Sequence, residues 1–137
     1  MKVENIDHIM IEVRDLEGAS KFFADLLGTE FSNLGEIKEV DARSSIEPLG
    51  IELVEPLTPD GPTARAIESK GEGLSLLSLK VANLEEGVAE MKSRGIRLIT
   101  TIDRSQWKAA LFHPKDTYGV MIELIEYRAK HPLAALL

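Results

Sequence analysis

The sequence predicts an α+β fold built from two copies of one β-α-β-β-β module. Three observations predict it. Residues 51–55 read Ile-Glu-Leu-Val-Glu and residues 122–126 read Ile-Glu-Leu-Ile-Glu, identical in four of five positions at an offset of 71. Upstream, Val-Arg-Asp-Leu-Glu at 13–17 recurs as Val-Ala-Asn-Leu-Glu at 81–85, an offset of 68. In both copies an alternating apolar pattern gives way to a helical stripe, in the same order. The repeat is too long for a solenoid, and 137 residues is one domain's worth at roughly 100–200 residues per domain. The organisation is therefore a half-module 1–57, a linker 58–73, a half-module 74–127 and a tail 128–137, all in one domain.

Each element follows from its residues. In 6–13, Ile9, Ile11 and Val13 alternate with His8, Met10 and Glu12, which predicts a half-buried strand. Asp15 caps the helix that follows. Leu16, Ala19, Phe22, Phe23, Leu26 and Leu27 form its stripe, and Gly28 ends it. Short strands are expected around 31–34, 39–46 and 50–55. Residues 56–73 hold three prolines and three glycines, with Pro62 opening a short helix through Glu68. The second copy opens with a strand at 74–81, with Leu77, Leu79 and Val81 on one face. A helix follows from Asn83, which has capping-box spacing to Glu86, with Leu84, Val88 and Met91 as stripe and Gly95 as stop. Strands around 96–100, 108–113 and 119–126 complete it.

Composition removes several function classes. There is no cysteine, so disulfides, thiolate zinc sites and cysteine nucleophiles are out. The formal charge of −7 opposes binding to phosphate backbones, so no nucleic-acid partner is expected. No apolar run reaches the roughly 18 residues of a membrane span, and the N-terminus has no secretory h-region. A cytoplasmic protein in a reducing compartment is expected. No phosphate-cradling glycine loop or nucleophile elbow is present.

The informative carboxylates lie on the two repeated strands. Residues three apart on a strand point to opposite faces, so Glu52 and Glu55 diverge, as do Glu123 and Glu126. If one face packs on a helix, the other receives Glu52 or Glu123. That face is either a water-facing sheet surface or a pocket in which the two carboxylates act as ligands or acid–base groups. Periodicity alone leans towards water, because exposed glutamates are common. His8 stands opposite Ile9 and Ile11, on the side of those carboxylates, and imidazole with carboxylates suits a divalent metal. His113, before Pro114, reads as turn-associated or as lining a pocket mouth. Trp107, the single tryptophan, reads as core packing or the floor of a ligand site. His131 and the apolar end of the tail read as exposed and as docking, respectively.

Residues 6–28, from Ile-Asp-His-Ile to Asp-Leu-Leu-Gly, resemble the opening of the vicinal oxygen chelate superfamily, which includes glyoxalase I, bleomycin-resistance proteins and extradiol dioxygenases. Within it, the methylmalonyl-CoA epimerases are the nearest likeness. IELVEPL at 51–57, PDGPTA at 59–64, KGEGL at 70–74 and FHPKDTYGVMIEL at 112–124 carry it. The resemblance implies a glyoxalase-like curved mixed sheet around a central cavity. It implies an isomerase, or a glyoxalase-like lyase, that moves a proton beside a carbonyl or CoA thioester. The implied metal is Co²⁺, Mn²⁺, Mg²⁺, Ni²⁺ or Zn²⁺, held by His8, Glu52 and Glu123, with Glu123 also catalytic. An acyl-CoA or other small molecule is the implied substrate, with Met10, Leu76, Trp107 and His113 around it, and a homodimer the implied assembly.

Two departures weigh against full transfer. Where the epimerases carry two adjacent histidines this chain has Ser75 and Leu76, and the repeat places Leu76 at the position of His8. Where they have a glycine-rich stretch it has Arg104-Ser105-Gln106-Trp107-Lys108. The second catalytic carboxylate falls among Glu36, Glu39 and Glu47, with Glu39 taken for the role. The alternative is a metal-free small-molecule binding protein of the bleomycin-resistance type.

Overall fold

A computed structural model describes residues 1–128; His131 and the apolar end of the tail lie outside the described residues. The chain runs β1 (Val3–Glu12), α1 (Leu16–Leu27), β2 (Ser32–Ile37), β3 (Ala42–Ile46), β4 (Ile51–Pro56), α2 (Pro62–Lys70), β5 (Gly73–Val81), α3 (Leu84–Ser93), β6 (Leu98–Asp103), β7 (Trp107–Phe112) and β8 (Met121–Tyr127). The β-α-β-β-β order occurs twice, with α2 between the copies. The α+β class expected from the sequence is the class observed.

The described residues pack as two units: a first of Ile9–Ser75 and a second of Met1–His8 with the chain from Leu76 onward. β1 passes through both. In the first unit the strand order is β2-β3-β4-β1. Its β1 and β4 are parallel, with Met10 beside Glu52 and Glu12 beside Val54, and β3 is antiparallel to β4 with Ile46 across from Glu52. α1 lies over Ile11, Val13, Ile51 and Leu53, burying Leu16 and packing Ala19 and Phe23 on them. Of its apolar stripe, Phe22 and Leu26 remain outside this contact, 61% and 65% exposed. Six apolar residues at these spacings span a wider arc than one sheet can cover.

In the second unit the order is β1-β5-β8-β7-β6, again with one parallel pair and then antiparallel strands. α3 covers Val81, Ala110, Phe112 and Leu124 with Leu84, Val88 and Met91. Its Gly87 sits close to the sheet: an added Cβ would stand 2.9 Å from Leu124 Cδ1, so that side chain would have to shift.

Several boundaries differ from those the pattern predicts. Lys38–Val40 form a 3₁₀ turn that Asp41 closes in the left-handed region at φ 53°, so β3 starts at Ala42 rather than 39. The strand expected at 96–100 runs Leu98–Asp103, and the Ile96 N–H instead bonds the Met91 carbonyl at the end of α3. α2 continues to Lys70, where the Gly71 N–H bonds the Ile67 carbonyl.

The helix-facing glutamate of each repeated strand closes a helix end. Glu55 Oε2 accepts from the Leu16 N–H and Glu126 Oε1 from the Leu84 N–H, both at 2.8 Å. These N–H groups have no partner within their helices, and a carboxylate there also meets the positive end of the helix dipole. The cross-strand neighbours of both glutamates are basic: Arg43 Nη1 reaches Glu55 at 2.8 Å and Lys108 Nζ reaches Glu126 at 3.6 Å. Loss of a side-chain acceptor at a helix start costs about 0.5–2 kcal/mol. Glu126→Ala should lower the urea midpoint by a corresponding amount and Glu126→Gln, which keeps an acceptor, by less. Equal midpoints for both variants and the parent protein would refute the cap.

Candidate active site

Glu52 points away from α1 and Glu123 points away from α3. Neither is water-facing. Each is only 7% exposed, which corrects the reading that periodicity alone favours. A buried carboxylate needs donors. In the first unit Ser44 Oγ donates to Glu52 Oε2. In the second unit Ser78, the cross-strand neighbour of Glu123, donates from Oγ to Glu123 Oε1 at 2.6 Å. The two hydroxyls come from non-equivalent strands, β3 and β5, so the repeat does not reveal them.

His8 meets the same Glu123 oxygen. Its Nε2 lies 3.4 Å from Glu123 Oε1, and the ring is 4% exposed. On the far side of the ring, Nδ1 is 2.6 Å from Asp7 Oδ2. The Tyr127 hydroxyl donates to the other Asp7 oxygen. A carboxylate accepts only, so the ring proton of this bond sits on Nδ1 and Nε2 is the nitrogen turned to Glu123. The result is one buried chain of contacts, Tyr127–Asp7–His8–Glu123–Ser78, drawn from β1, β5 and β8. Lys80 Nζ stands 4.4 Å from the centre of the Tyr127 ring. Burial, with the Asp7 carboxylate accepting its proton, pushes the Tyr127 phenol well above the usual range.

His8 Nε2 and Glu123 Oε1 have a spacing that two ligands of one cation can take, although among the described residues no group of three or more such side chains is placed to hold an ion. Two donors about 2.1 Å from one ion, at about 90–110° to each other, are about 3.0–3.4 Å apart. A metal-bound histidine also hands its second nitrogen to a carboxylate or carbonyl, as Nδ1 does here to Asp7. Glu52, the other nominated ligand, lies in the first unit beside Met10.

The remaining nominated residues are placed as follows. Leu76 is buried across from Met121, on the face of the second unit opposite α3, two residues before Ser78. Trp107 is half-buried on that face across from Tyr127, packed on Ala109 and Ile125. The Arg104 guanidinium is 5.8 Å from its ring centre. Met10 is buried on the face of the first unit opposite α1. His113 caps a 3₁₀ turn, its Nδ1 accepting from the Lys115 N–H at 3.1 Å. Glu39 is exposed in the turn before β3 and Glu36 is exposed on β2 across from Arg43. Glu47 is 1% exposed and accepts from the Leu49 and Ile51 N–H groups at 2.9 and 2.7 Å, which locks the β3–β4 turn. Sequence reasoning passed over Asp7, Ser44, Ser78 and Tyr127. Only Asp7, adjacent to His8, carried a local signal.

Comparison with known proteins agrees with this frame. The family profile described as Glyoxalase/Bleomycin resistance protein/Dioxygenase superfamily matches residues 5–124. The mitochondrial methylmalonyl-CoA epimerase of Mus musculus is 31% identical over 130 residues, covering 90% of this chain and 73% of that protein. The crystal structure of methylmalonyl-CoA epimerase from Mycobacterium tuberculosis superposes with a TM-score of 0.81 at 30% identity, covering 97% of this chain and 93% of that one. A variant of the Streptomyces coelicolor methylmalonyl-CoA epimerase, in complex with 2-nitronate-propionyl-CoA, superposes with a TM-score of 0.83 at 24% identity, covering 93% and 100%. Among the described residues no helix is long and apolar enough to cross a membrane.

A further buried carboxylate, Glu12, shares the face of the first unit opposite α1 with Met10 and Glu52. Burial raises its pKa above the usual 4.5, and the Ser75 hydroxyl and Lys70 ammonium offset this in part. The folded state therefore holds the proton to higher pH than the unfolded chain. Stability falls as pH rises from 4.5 through the raised value. Glu12→Gln removes that loss. It should be more stable than the parent at pH 7, and the gain should shrink towards pH 4, read as urea midpoints. A constant difference at the two pH values would contradict the assignment.

Proposed function

Because the chain belongs to the Glyoxalase/Bleomycin resistance protein/Dioxygenase superfamily, we propose that it is an isomerase of the methylmalonyl-CoA epimerase kind, moving a proton on the carbon beside a carbonyl or CoA thioester. The observation that carries this reading is the buried Glu123 carboxylate, with Oε1 held by Ser78 and faced by His8 Nε2.

The chemistry asks for two things. A proton beside a thioester is weakly acidic, so it needs a positioned base. The oxygen that gathers negative charge needs positive charge or donors in place beforehand. Glu123 is assigned as the base. It stands on a strand, which holds it more firmly than a loop would, and its fixed Oε1 restricts rotation of the carboxylate. His8 and Glu123 are assigned to a divalent cation, which when bound would polarise the carbonyl oxygen. Leu76 and Trp107, on the face of Glu123, are assigned to apolar parts of the substrate. Met10 and His113 keep the same assignment less directly, His113 because its ring already caps a turn.

An epimerase also needs a group on the opposite side of the carbon. Glu39 is assigned to it. Glu47, by contrast, accepts from two backbone N–H groups of the β3–β4 turn.

One observation favours the second reading, a metal-free binding protein. Leu76 is an apolar, buried side chain at the repeat position of His8. Exchange of the α-proton of methylmalonyl-CoA in deuterated water, with Co²⁺ supplied, separates the two. We expect exchange by the parent protein, reduced about 10²-fold or more in Glu123→Gln, the range for loss of a positioned acid–base group. No exchange by the parent protein would sink the epimerase reading and leave the binding protein.

A further inference from the structure

We propose that Tyr118 is a stacking platform for the adenine ring of a CoA thioester, with the Lys115 ammonium receiving the phosphates beside it. This narrows the substrate to CoA thioesters rather than smaller acyl compounds, and it rests on the reading of Glu123 as the base of an isomerase.

Tyr118 is set as no residue kept for packing would be. It is 104% exposed, so its ring buries nothing. Its backbone is left-handed, at φ 59°, a region that is costly for a bulky side chain and that glycine takes freely. The chain around it is nonetheless firmly fixed. The Gly119 N–H bonds the Pro114 carbonyl at 2.8 Å and the Asp116 N–H bonds the His113 carbonyl at 3.0 Å. The Thr117 hydroxyl donates to the Val120 carbonyl at 2.6 Å. Arg97 ties the turn to the body of the unit. Its backbone N–H and its Nε reach Asp116 Oδ2 at 3.0 and 2.8 Å, and its Nη2 reaches Oδ1 at 3.2 Å. Local strain that no contact within the chain offsets is the mark of a residue that serves function. A ring presented on a braced turn also loses little freedom when a flat partner settles on it.

The charge around the turn selects the partner. The chain as a whole carries −7, which repels anions. Here the sign is reversed. Lys92, Arg94, Arg97 and Lys115 are all exposed, and the His113 N–H joins the turn to the Arg97 carbonyl at 2.9 Å. Glu90 and Asp116 are paired with Arg94 and Arg97, which leaves Lys92 and Lys115 without an ion-pair partner among the described residues. An exposed ring beside ammonium groups suits a ligand that is at once a flat base and a polyanion. The turn also adjoins the proposed site. Met121, three residues on from Tyr118, opens β8 across from Leu76, on the face that bears Glu123. A thioester with its reacting carbon at Glu123 and its long arm leaving past Met121 brings its nucleotide end to Tyr118.

The test compares binding of propionyl-CoA and of propionyl-pantetheine, which lacks the nucleotide, to the full chain by calorimetry. The parent protein should bind the CoA ester about 10-fold or more tightly than the pantetheine ester. Tyr118→Ala should weaken the CoA ester about 5-fold or more, the effect of losing one stacked base, and leave the pantetheine ester unchanged. Tyr118→Phe, which keeps the ring, should hold the parent affinity. Lys115→Ala should weaken the CoA ester and flatten its salt dependence. Because the ring buries nothing, the urea midpoint of Tyr118→Ala should match that of the parent. A parent protein without preference for the CoA ester overturns the proposal. So does a Tyr118→Ala protein with unchanged affinity, or with equal losses for both esters. Preference for the CoA ester that depends on Tyr118, in a protein without exchange at the α-carbon, upholds the proposal while the isomerase reading falls. Exchange of methylmalonyl-CoA with unchanged affinity in Tyr118→Ala sinks the proposal alone, so the two failures are distinct.

Discussion

A carboxylate buried on a sheet face must be held by donors, and this requirement organises both copies of the module. Glu52 and Glu123 lie on the faces opposite α1 and α3, and each takes a serine hydroxyl. An unpaired buried charge would cost several kcal/mol, far more than one hydroxyl bond returns in net stability. Such groups are therefore retained for something other than stability. The partner glutamates three residues on, Glu55 and Glu126, have the opposite character. They satisfy helix N–H groups that would otherwise be orphaned, and they belong to the scaffold. One five-residue motif thus encodes a structural and a chemical carboxylate, separated by strand alternation.

The repeat and the alternation were legible because both are local. Offsets of 71 and 68 locate the strand and the helix of each copy, and period-two patterning separates Glu52 from Glu55 without any coordinates. Burial was not legible. Periodicity says which face a residue takes, but whether that face meets water depends on partners distant in sequence. The Tyr127–Asp7 bond spans 120 residues and the Ser78–Glu123 bond spans 45. The serines were hidden for a further reason: they come from β3 in one copy and β5 in the other, so no equivalence in the repeat marks them. Edges of elements were misjudged where a single residue took an unforeseen backbone state, as at Asp41.

The two copies share a scaffold yet differ on the faces opposite α1 and α3. The helix-facing residues answer to packing. Leu53 and Leu124 occupy the same motif position, and both are fully buried beneath their helices. Residues on the other face are under less common constraint, so Asp7 and His8 of the first copy meet Tyr127 of the second, while the repeat-equivalent positions hold Ser75, Leu76 and Pro56. A polar residue placed there brings its partners with it, because a buried imidazole with one unsatisfied nitrogen costs more than a leucine does. Asymmetry in a duplicated fold is then expected to come in coupled sets rather than single substitutions.

The same logic bears on the missing histidine. Exchange of a metal-binding imidazole for Leu76 removes one ligand, but it also removes one buried polar group that needed support. Leu76 is satisfied by apolar contact, and Ser78, two residues along the same face, attends Glu123 instead. In the second unit the charged and titratable groups on this face are one imidazole, with Asp7 behind it, and Glu123, tied by the Ser78 hydroxyl. A cation held by such a set has fewer protein ligands and more positions open to water or to a substrate oxygen. Under the proposed isomerase reading, that trade would weaken binding of the ion while leaving room for a substrate carbonyl beside it.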